Sequence, residues 1–371
     1  MEERKMILKM IEDGKITAEE GLKLLNALQQ EEPKEKKETK TEEPQQTQTS
    51  LSERVDWDSK RQSRRTYRQT SGASVLTGFI ENAIQKIKDL DLDFNFGSFV
   101  EVEHIFHHKN FHGKELDFSL ENGSITLIPW EEEDIRVECK AKVYRARDAE
   151  EGRQTFLQET IFEGREDRIR FYSKVKSVKI QATCYIPKDY YESIKVYTFN
   201  GHIKGEKLQG DKLEVKVVNG SVHLTDVVGK RLYAETVNGP IDITSIHNDW
   251  CEVKTMNGAI TLEGKTIDVN VETVNGAIRY RLDEVSEPCY ADLKATTGSI
   301  NVSVPADLRI EGKLETNVGG FTCDLNGLEI VEEKKDFVQK TLSFIANKEC
   351  SPRFKLEGET NTGSIQIEQR S

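Results

Sequence analysis

Val218-Asn219-Gly220-Ser221-Val222, Val237-Asn238-Gly239-Pro240-Ile241, Met256-Asn257-Gly258-Ala259-Ile260 and Val274-Asn275-Gly276-Ala277-Ile278 are four versions of one phrase. An apolar residue leads into Asn-Gly, and an apolar strand leads out. Upstream stands Phe199-Asn200-Gly201-His202-Ile203. Reduced copies follow at Thr297-Gly298-Ser299-Ile300, Val318-Gly319-Gly320-Phe321 and Thr362-Gly363-Ser364-Ile365. The glycines at 201, 220, 239, 258, 276, 298, 319 and 363 give steps of 19, 19, 19, 18, 22, 21 and 44. The last step reads as two units with one marker lost. A fixed period near 20 residues marks a repeat architecture, in which each unit buries its apolar side against its neighbours.

Two arrangements fit the phrase. Asn-Gly between alternating strands is a strong hairpin signal, because both residues tolerate positive φ. A two-residue turn at Asn219-Gly220 would set Val218 opposite Ser221, Val217 opposite Val222 and Val215 opposite Leu224, a meander of hairpins. In a β-solenoid, successive Asn-Gly corners instead stack one strand spacing apart, about 4.8 Å, where Asn side chains can form a ladder. Thr198, Thr236, Thr255, Thr273, Thr316 and Thr360 each stand three residues before a marker glycine. Identical polar corners are most useful where they touch, which favours the solenoid. The fold class expected is mainly β: a β-solenoid or β-helix-like repeat array, with a small N-terminal α-hairpin and an amphipathic capping helix.

Composition bounds the rest. Of 371 residues, 36% are hydrophobic and 32% charged, so a thin stack suits the balance better than one large globule. A net charge of −12 argues against general nucleic-acid binding, which needs clustered Lys and Arg. No stretch approaches the roughly 20 apolar residues that cross a bilayer, and Met1-Glu2-Glu3-Arg4-Lys5 lacks a signal peptide's apolar core. A cytoplasmic protein is expected, possible contact with the inner face of the membrane included. The six cysteines, at 139, 184, 251, 289, 323 and 350, include no close pair, so single reduced thiols are expected and a zinc site is not.

The chain divides into four parts. Residues 1–30 read as a helical hairpin, with Met6, Ile7, Met10 and Ile11 at helical spacing, a stop at Asp13-Gly14-Lys15, and a Thr17-x-x-Glu20 cap opening the second helix. Helices this short bury too little to stand alone, so the hairpin is expected to self-associate or to bind a protein partner. Residues 31–72 read as a disordered charged linker. Its Lys60, Arg61, Arg64, Arg65 and Arg68 could lie on anionic lipid or pair with the acidic body. Residues 73–92 hold an amphipathic helix, with Leu76, Phe79, Ile80, Ala83, Ile84, Ile87 and Leu90 on one face, expected to cover the first edge of the array. Residues 93–371 form the repeat domain, with an early copy of the phrase at Leu116–Leu127. Longer strands are expected at 135–143, 168–172 and 178–186, around an irregular or helical piece near 146–157. No cap is evident at the C-terminal edge, so a partner or a second copy is expected there.

The hairpin containing Asp13-Gly14-Lys15-Ile16-Thr17-Ala18-Glu19-Glu20 resembles the SHOCT-like N-terminal segment of a bacterial family. The Val-Asn-Gly-Ala-Ile phrases look like its β-strand repeat, a domain of unknown function often labelled "putative adhesin". Together they resemble the YvlB-type proteins of Gram-positive bacteria, over nearly the whole chain outside the linker. The resemblance implies a role at or near the cell membrane, in envelope stress, and supplies no catalytic residues.

Candidate chemistry is sparse. His104, His107, His108 and His112 crowd the approach to the first repeat, and four imidazoles so close could bind zinc, nickel or copper. An exposed polar loop is the expectation. Asp226, Asp242, Asp268 and Asp283 are scattered, and no glycine-rich loop precedes a helix. No catalytic, cofactor or metal residue is assigned. The expected function is a non-enzymatic cytoplasmic scaffold or protein-interaction module linked to envelope stress; the alternative is a glycan- or cell-wall-binding module.

Overall fold

A computed structural model describes residues 97–336 and 339–370. The expected hairpin 1–30, linker 31–72 and helix 73–92 lie outside them. The chain divides into two compact units, Met1–Tyr67 and Arg68–Ser371, and every described residue belongs to the second. Its elements are β1 (Phe99–His108), β2 (Glu115–Trp130), β3 (Ile135–Tyr144), α1 (Ala149–Glu159), β4 (Thr160–Gly164), β5 (Arg168–Ser173) and β6 (Val178–Pro187). Then come β7 (Tyr191–Asn200), β8 (Ile203–Glu206), β9 (Gln209–Asn219), β10 (Val222–Asn238), β11 (Ile241–Asn257), β12 (Ile260–Asn275), β13 (Ile278–Leu282) and β14 (Cys289–Thr297). The last are β15 (Ile300–Pro305), β16 (Arg309–Val318), β17 (Phe321–Asp324), β18 (Glu329–Lys335), β19 (Lys340–Ala346), β20 (Arg353–Thr362) and β21 (Ile365–Arg370).

The repeat is a solenoid. Each coil runs along a first sheet, turns at its Asn-Gly corner, runs along a second sheet and turns again. β10 lies parallel to β11, and β11 to β12, with Val222 beside Ile241, Ile241 beside Ile260, and Asn238 beside Asn257. The meander is therefore overturned: Val215 lies beside Val196 and Ala234, one coil away on either side.

Two ladders fix the corner. Asn219 donates its side-chain amide to Asn200 Oδ1 at 2.9 Å, Asn238 to Asn219 at 2.9 Å, Asn257 to Asn238 at 2.8 Å and Asn275 to Asn257 at 2.8 Å. The threonine hydroxyls reach a neighbouring coil's glycine carbonyl: Thr236 to Gly220, Thr255 to Gly239 and Thr273 to Gly258, each at 3.1 Å. Thr198, Thr316 and Thr360 do the same to Gly123, Gly363 and Gly298. The corner carbonyl is thus satisfied by a side chain where the strand ladder turns away from it. Glycine is required because there is no room for more. A Cβ at Gly220 or Gly239 would stand 1.7 or 2.0 Å from the carbonyl oxygen of the preceding marker glycine, at φ of +149° and +158°.

Behind the corner, the first residue of each second-sheet run points inward. Ile203, Val222, Ile241, Ile260, Ile278, Ile300 and Ile365 form a column, each 0% exposed. β-Branched side chains stack well on a pleated, buried surface, and each contributes roughly 1.5–3 kcal/mol by leaving water.

The Asn-Gly corner keeps its register, and length variation is absorbed at the other corner. Lys207, Asp226 and Ser245 take φ near +50° there. The 18-residue step is a one-residue deletion after Ile243. The 22-residue step comes from the longer loop between β13 and β14, since Leu282 keeps the register that Tyr290 leaves.

The ends depart from chain order. β20 and β21 insert between β14–β15 and β16–β17, making hydrogen-bonded neighbours of both. At the other end β2 lies between β5–β6 and β7–β8. The first and last regular coils of the chain are each clamped on two sides, so neither can peel from a free edge. The 44-residue step is corrected accordingly. It holds no coil with a lost marker, but the antiparallel hairpin β18–β19, which packs on the outer edge of β16. This hairpin also supplies the C-terminal cap that no local pattern announced. The opposite edge is closed by β1 on β3, β3 on β6 and β4 on β5, all antiparallel. α1, the piece expected near 146–157, lies against β1, β3 and β4, capped by Asp148, which accepts from Glu151 N at 2.9 Å. Among the described residues, no helix is long and apolar enough to cross a membrane.

Candidate interaction surface

Parallel pairing sets outward side chains of the first sheet in rows across the coils, about 4.8 Å apart. One row runs Ser193, Lys212, Arg231, Trp250, Asp268, Tyr290, Lys355. The next runs Lys195, Glu214, Tyr233, Glu252, Asn270, Asp292, Glu357. A third alternates in charge: Lys216, Glu235, Lys254, Glu272, Lys294, Glu359. The fourth, beside the Asn ladder, is apolar: Phe199, Val218, Val237, Met256 and Val274. Alternation along each strand fixes this face, because residues of odd and even offset point to opposite sides.

The charges are ordered within strands. Lys212 and Lys216 both bond Glu214 at 2.8 Å, and Lys254 bonds Glu252 at 2.6 Å and approaches Glu272 at 3.6 Å. Burial pushes the Glu214 carboxyl up, but the two lysines overcome it and hold the group at about 2. Glu235 has no such clasp. It is 8% exposed, and its Oε1 finds no hydrogen bond among the described residues. Burial raises its carboxyl to about 7, with Lys216 and Lys254 opposing and Glu252 and Glu214 reinforcing. Tyr233 and Trp250 pack against each other on neighbouring coils, centroids 4.5 Å apart and ring planes tilted by 58°.

The second corner carries an open groove of about 1030 Å³, where the long loops of the late coils project. Lys265, Arg281 and Arg370 line it together with Asp283, Glu284, Asp307 and Glu368. Arg370 Nη2 donates to Leu282 O at 2.5 Å and reaches Asp283 at 3.5 Å. Three cations stand there among four carboxylates, so the groove is mixed in charge.

Three of the four histidines lie on a strand, and His112 alone falls in the loop between β1 and β2, exposed as expected. His104, His107 and His108 lie on β1, where strand alternation sends His104 and His108 to one side and His107 to the other. His104 packs edge-on to Phe106 at 4.5 Å, and burial, then Arg153, lowers its pKa. His107 Nε2 pairs with Asp134 at 2.8 Å, and His108 rests on Phe111. Among the described residues, no three His, Cys, Asp or Glu side chains converge as metal ligands. The scattered aspartates stay apart: Asp226 is at a second corner, Asp242 on the second sheet, Asp268 on the first. All six cysteines are free thiols; burial pushes Cys139 and Cys289 up to about 12 and Cys323 to about 11.

A SHOCT-like domain profile matches residues 2–33, and the Toastrack DUF4097 profile matches residues 113–368. "Uncharacterized protein YvlB" of Bacillus subtilis (strain 168) is 41% identical over 371 residues, covering 99% of this chain and 98% of the relative. Among solved structures, a putative adhesin from Parabacteroides distasonis ATCC 8503 is 11% identical over 73% of this chain and 98% of its own, with a TM-score of 0.39. A putative adhesin from Parabacteroides merdae ATCC 43184 is 8% identical over 72% and 95%, with a TM-score of 0.38. The match over most of the repeat domain, with a relative aligned end to end, places this chain in the Toastrack DUF4097 family, with a SHOCT-like segment at its N-terminus.

Proposed function

We propose that the protein is a non-enzymatic scaffold, whose solenoid is a rigid docking body and whose SHOCT-like segment captures a protein partner or a second copy. In this reading it works in the cytoplasm at the inner face of the membrane, where the Arg61–Arg68 tract meets anionic lipid, and serves the response to envelope stress. The observation that carries it is the outer face of the first sheet. Rings, carboxylates and lysines stand there in fixed rows on a support clamped at both ends, which suits a broad protein surface better than a small substrate. Affinity capture from membrane-stressed cells, with the full chain and with residues 1–30 deleted, tests the role of the hairpin. Partner capture or self-association is expected to vanish on deletion while the strand signal in circular dichroism is kept; an unchanged captured set refutes it.

The Tyr233–Trp250 pair favours one second reading, a glycan- or cell-wall-binding module, because adjacent half-exposed rings offer a platform for the apolar face of a sugar. Fractionation that finds the protein outside the cell, with binding to purified cell wall lost in Trp250→Ala, decides for this reading over the scaffold.

A further inference from the structure

The outward apolar row is shielded. Phe199, Val218 and Val237 are 1%, 1% and 2% exposed, although they point away from the core. With Tyr197 and Met256 they form an apolar cluster separate from the main core. Beside them Glu235 and Lys254 are only 8% and 6% exposed. Neighbours on the same sheet do not account for this. Further along the same rows Val274 is 37% exposed, and the side chains of Glu272 and Lys294 are 42% and 48% exposed. The shielding is a local footprint over the coils from Phe199 to Met256.

The segment Val75–Leu90 has the matching pattern. Its apolar positions from Leu76 to Leu90 span about 21 Å in a helix, and the row from Phe199 to Val274 spans four strand spacings, about 19 Å. The edge it was expected to cover is already closed by β1, β3, β4 and α1. We propose that Val75–Leu90 docks as a helix along the outer row, its Phe79, Ile80, Ala83, Ile84 and Ile87 seated on Phe199, Val218, Val237 and Met256. The chain direction orients it. Leu90 stands nine residues before Phe99, which opens β1 at the β5–β6 end of the stack. Nine residues reach at most about 30 Å, so the Leu90 end lies towards Phe199 and the Leu76 end towards Met256.

Paired cysteines in the full chain test this, in a background with Cys323 and Cys350 changed to Ser. Ile87→Cys with Val218→Cys, and Ile80→Cys with Met256→Cys, are expected to cross-link within one chain. As a second measurement, maleimide labelling of Val237→Cys is expected to quicken about tenfold when Ile80→Asp and Ile84→Asp weaken docking by about 1.4 kcal/mol. Cross-linked species of twice the chain mass would assign the row to a second copy and overturn the proposal. So would the absence of any intrachain product, or labelling of Val237→Cys that ignores the aspartates.

Discussion

Replacing Thr236 by Val keeps the shape of a side chain that is 0% exposed and removes one hydroxyl. That hydroxyl donates to Gly220 O, a corner carbonyl, at 3.1 Å. The loss of a buried hydrogen bond with its acceptor left behind costs about 1–2 kcal/mol. The coil beside it carries the reverse experiment already. Val217 lies in register with Thr236 and is also 0% exposed, so a hydroxyl there would stand to Gly201 O, one coil back, as that of Thr236 stands to Gly220 O. Val217→Thr is therefore expected to stabilise the protein by roughly 0.5–1 kcal/mol. A hydroxyl placed in an ordinary core without an acceptor costs about 1–3 kcal/mol instead, so the sign decides. Urea unfolding followed by circular dichroism, compared at unchanged m, reads both. A neutral Thr236→Val, or a Val217→Thr that destabilises, would refute the claim that the hydroxyls serve the corners of neighbouring coils.

Four further outcomes follow from the same geometry. Gly239→Ala would set a Cβ 2.0 Å from Gly220 O at positive φ and is expected to cost about 3 kcal/mol or more in urea unfolding; Gly320→Ala, whose Cβ meets nothing within 4 Å, is expected to be neutral. Glu235 has a carboxyl raised from 4.5 to about 7, so the native state holds a proton that the unfolded chain releases between those values. Stability is lost as pH rises through that window, by about 3 kcal/mol. Glu235→Gln is expected to recover that loss at pH 8 and to change nothing below pH 4.5, read from urea midpoints at both. Ending the chain before Arg353 removes a coil held between two others and is expected to abolish soluble protein. Deleting 327–347 is expected to keep the coils but bare the edge of β16, giving concentration-dependent association in light scattering.

The corner was legible because its demands are local and repeat. Asn, Gly and Thr recur at fixed offsets since each must touch its own copy one coil away. Strand sites near 135–143, 168–172 and 178–186 were legible from alternation. The order of coils was not. Nothing in Thr362-Gly363-Ser364-Ile365 tells whether it stacks on the coil of Val318 alone or also on that of Thr297, because the same phrase fits either neighbour. For the same reason the β18–β19 insertion passed for a coil with a lost marker. His104, His107 and His108 looked like a loop since β1 opens with alternating charge rather than alternating apolarity: Glu101 and Glu103 face away from Val100 and Val102. The outer face of the first sheet was hidden because Lys216, Glu235 and Lys254 read as solvated positions in each strand. Their rows appear only when strands 19 residues apart are set side by side.

Paired cysteines at Lys216 decide most directly whether equivalent positions of consecutive coils touch. Glu235 lies in register one coil away on the same face, within the span of about 4.4–6.8 Å between Cα atoms that a disulfide bridges. Oxidation of Lys216→Cys with Glu235→Cys is expected to close a bond within the chain, while Lys216→Cys with His223→Cys stays open on opposite faces. A bond in the second pair and none in the first would mean that the chain folds back at Asn219-Gly220, and the stacked coils would be wrong.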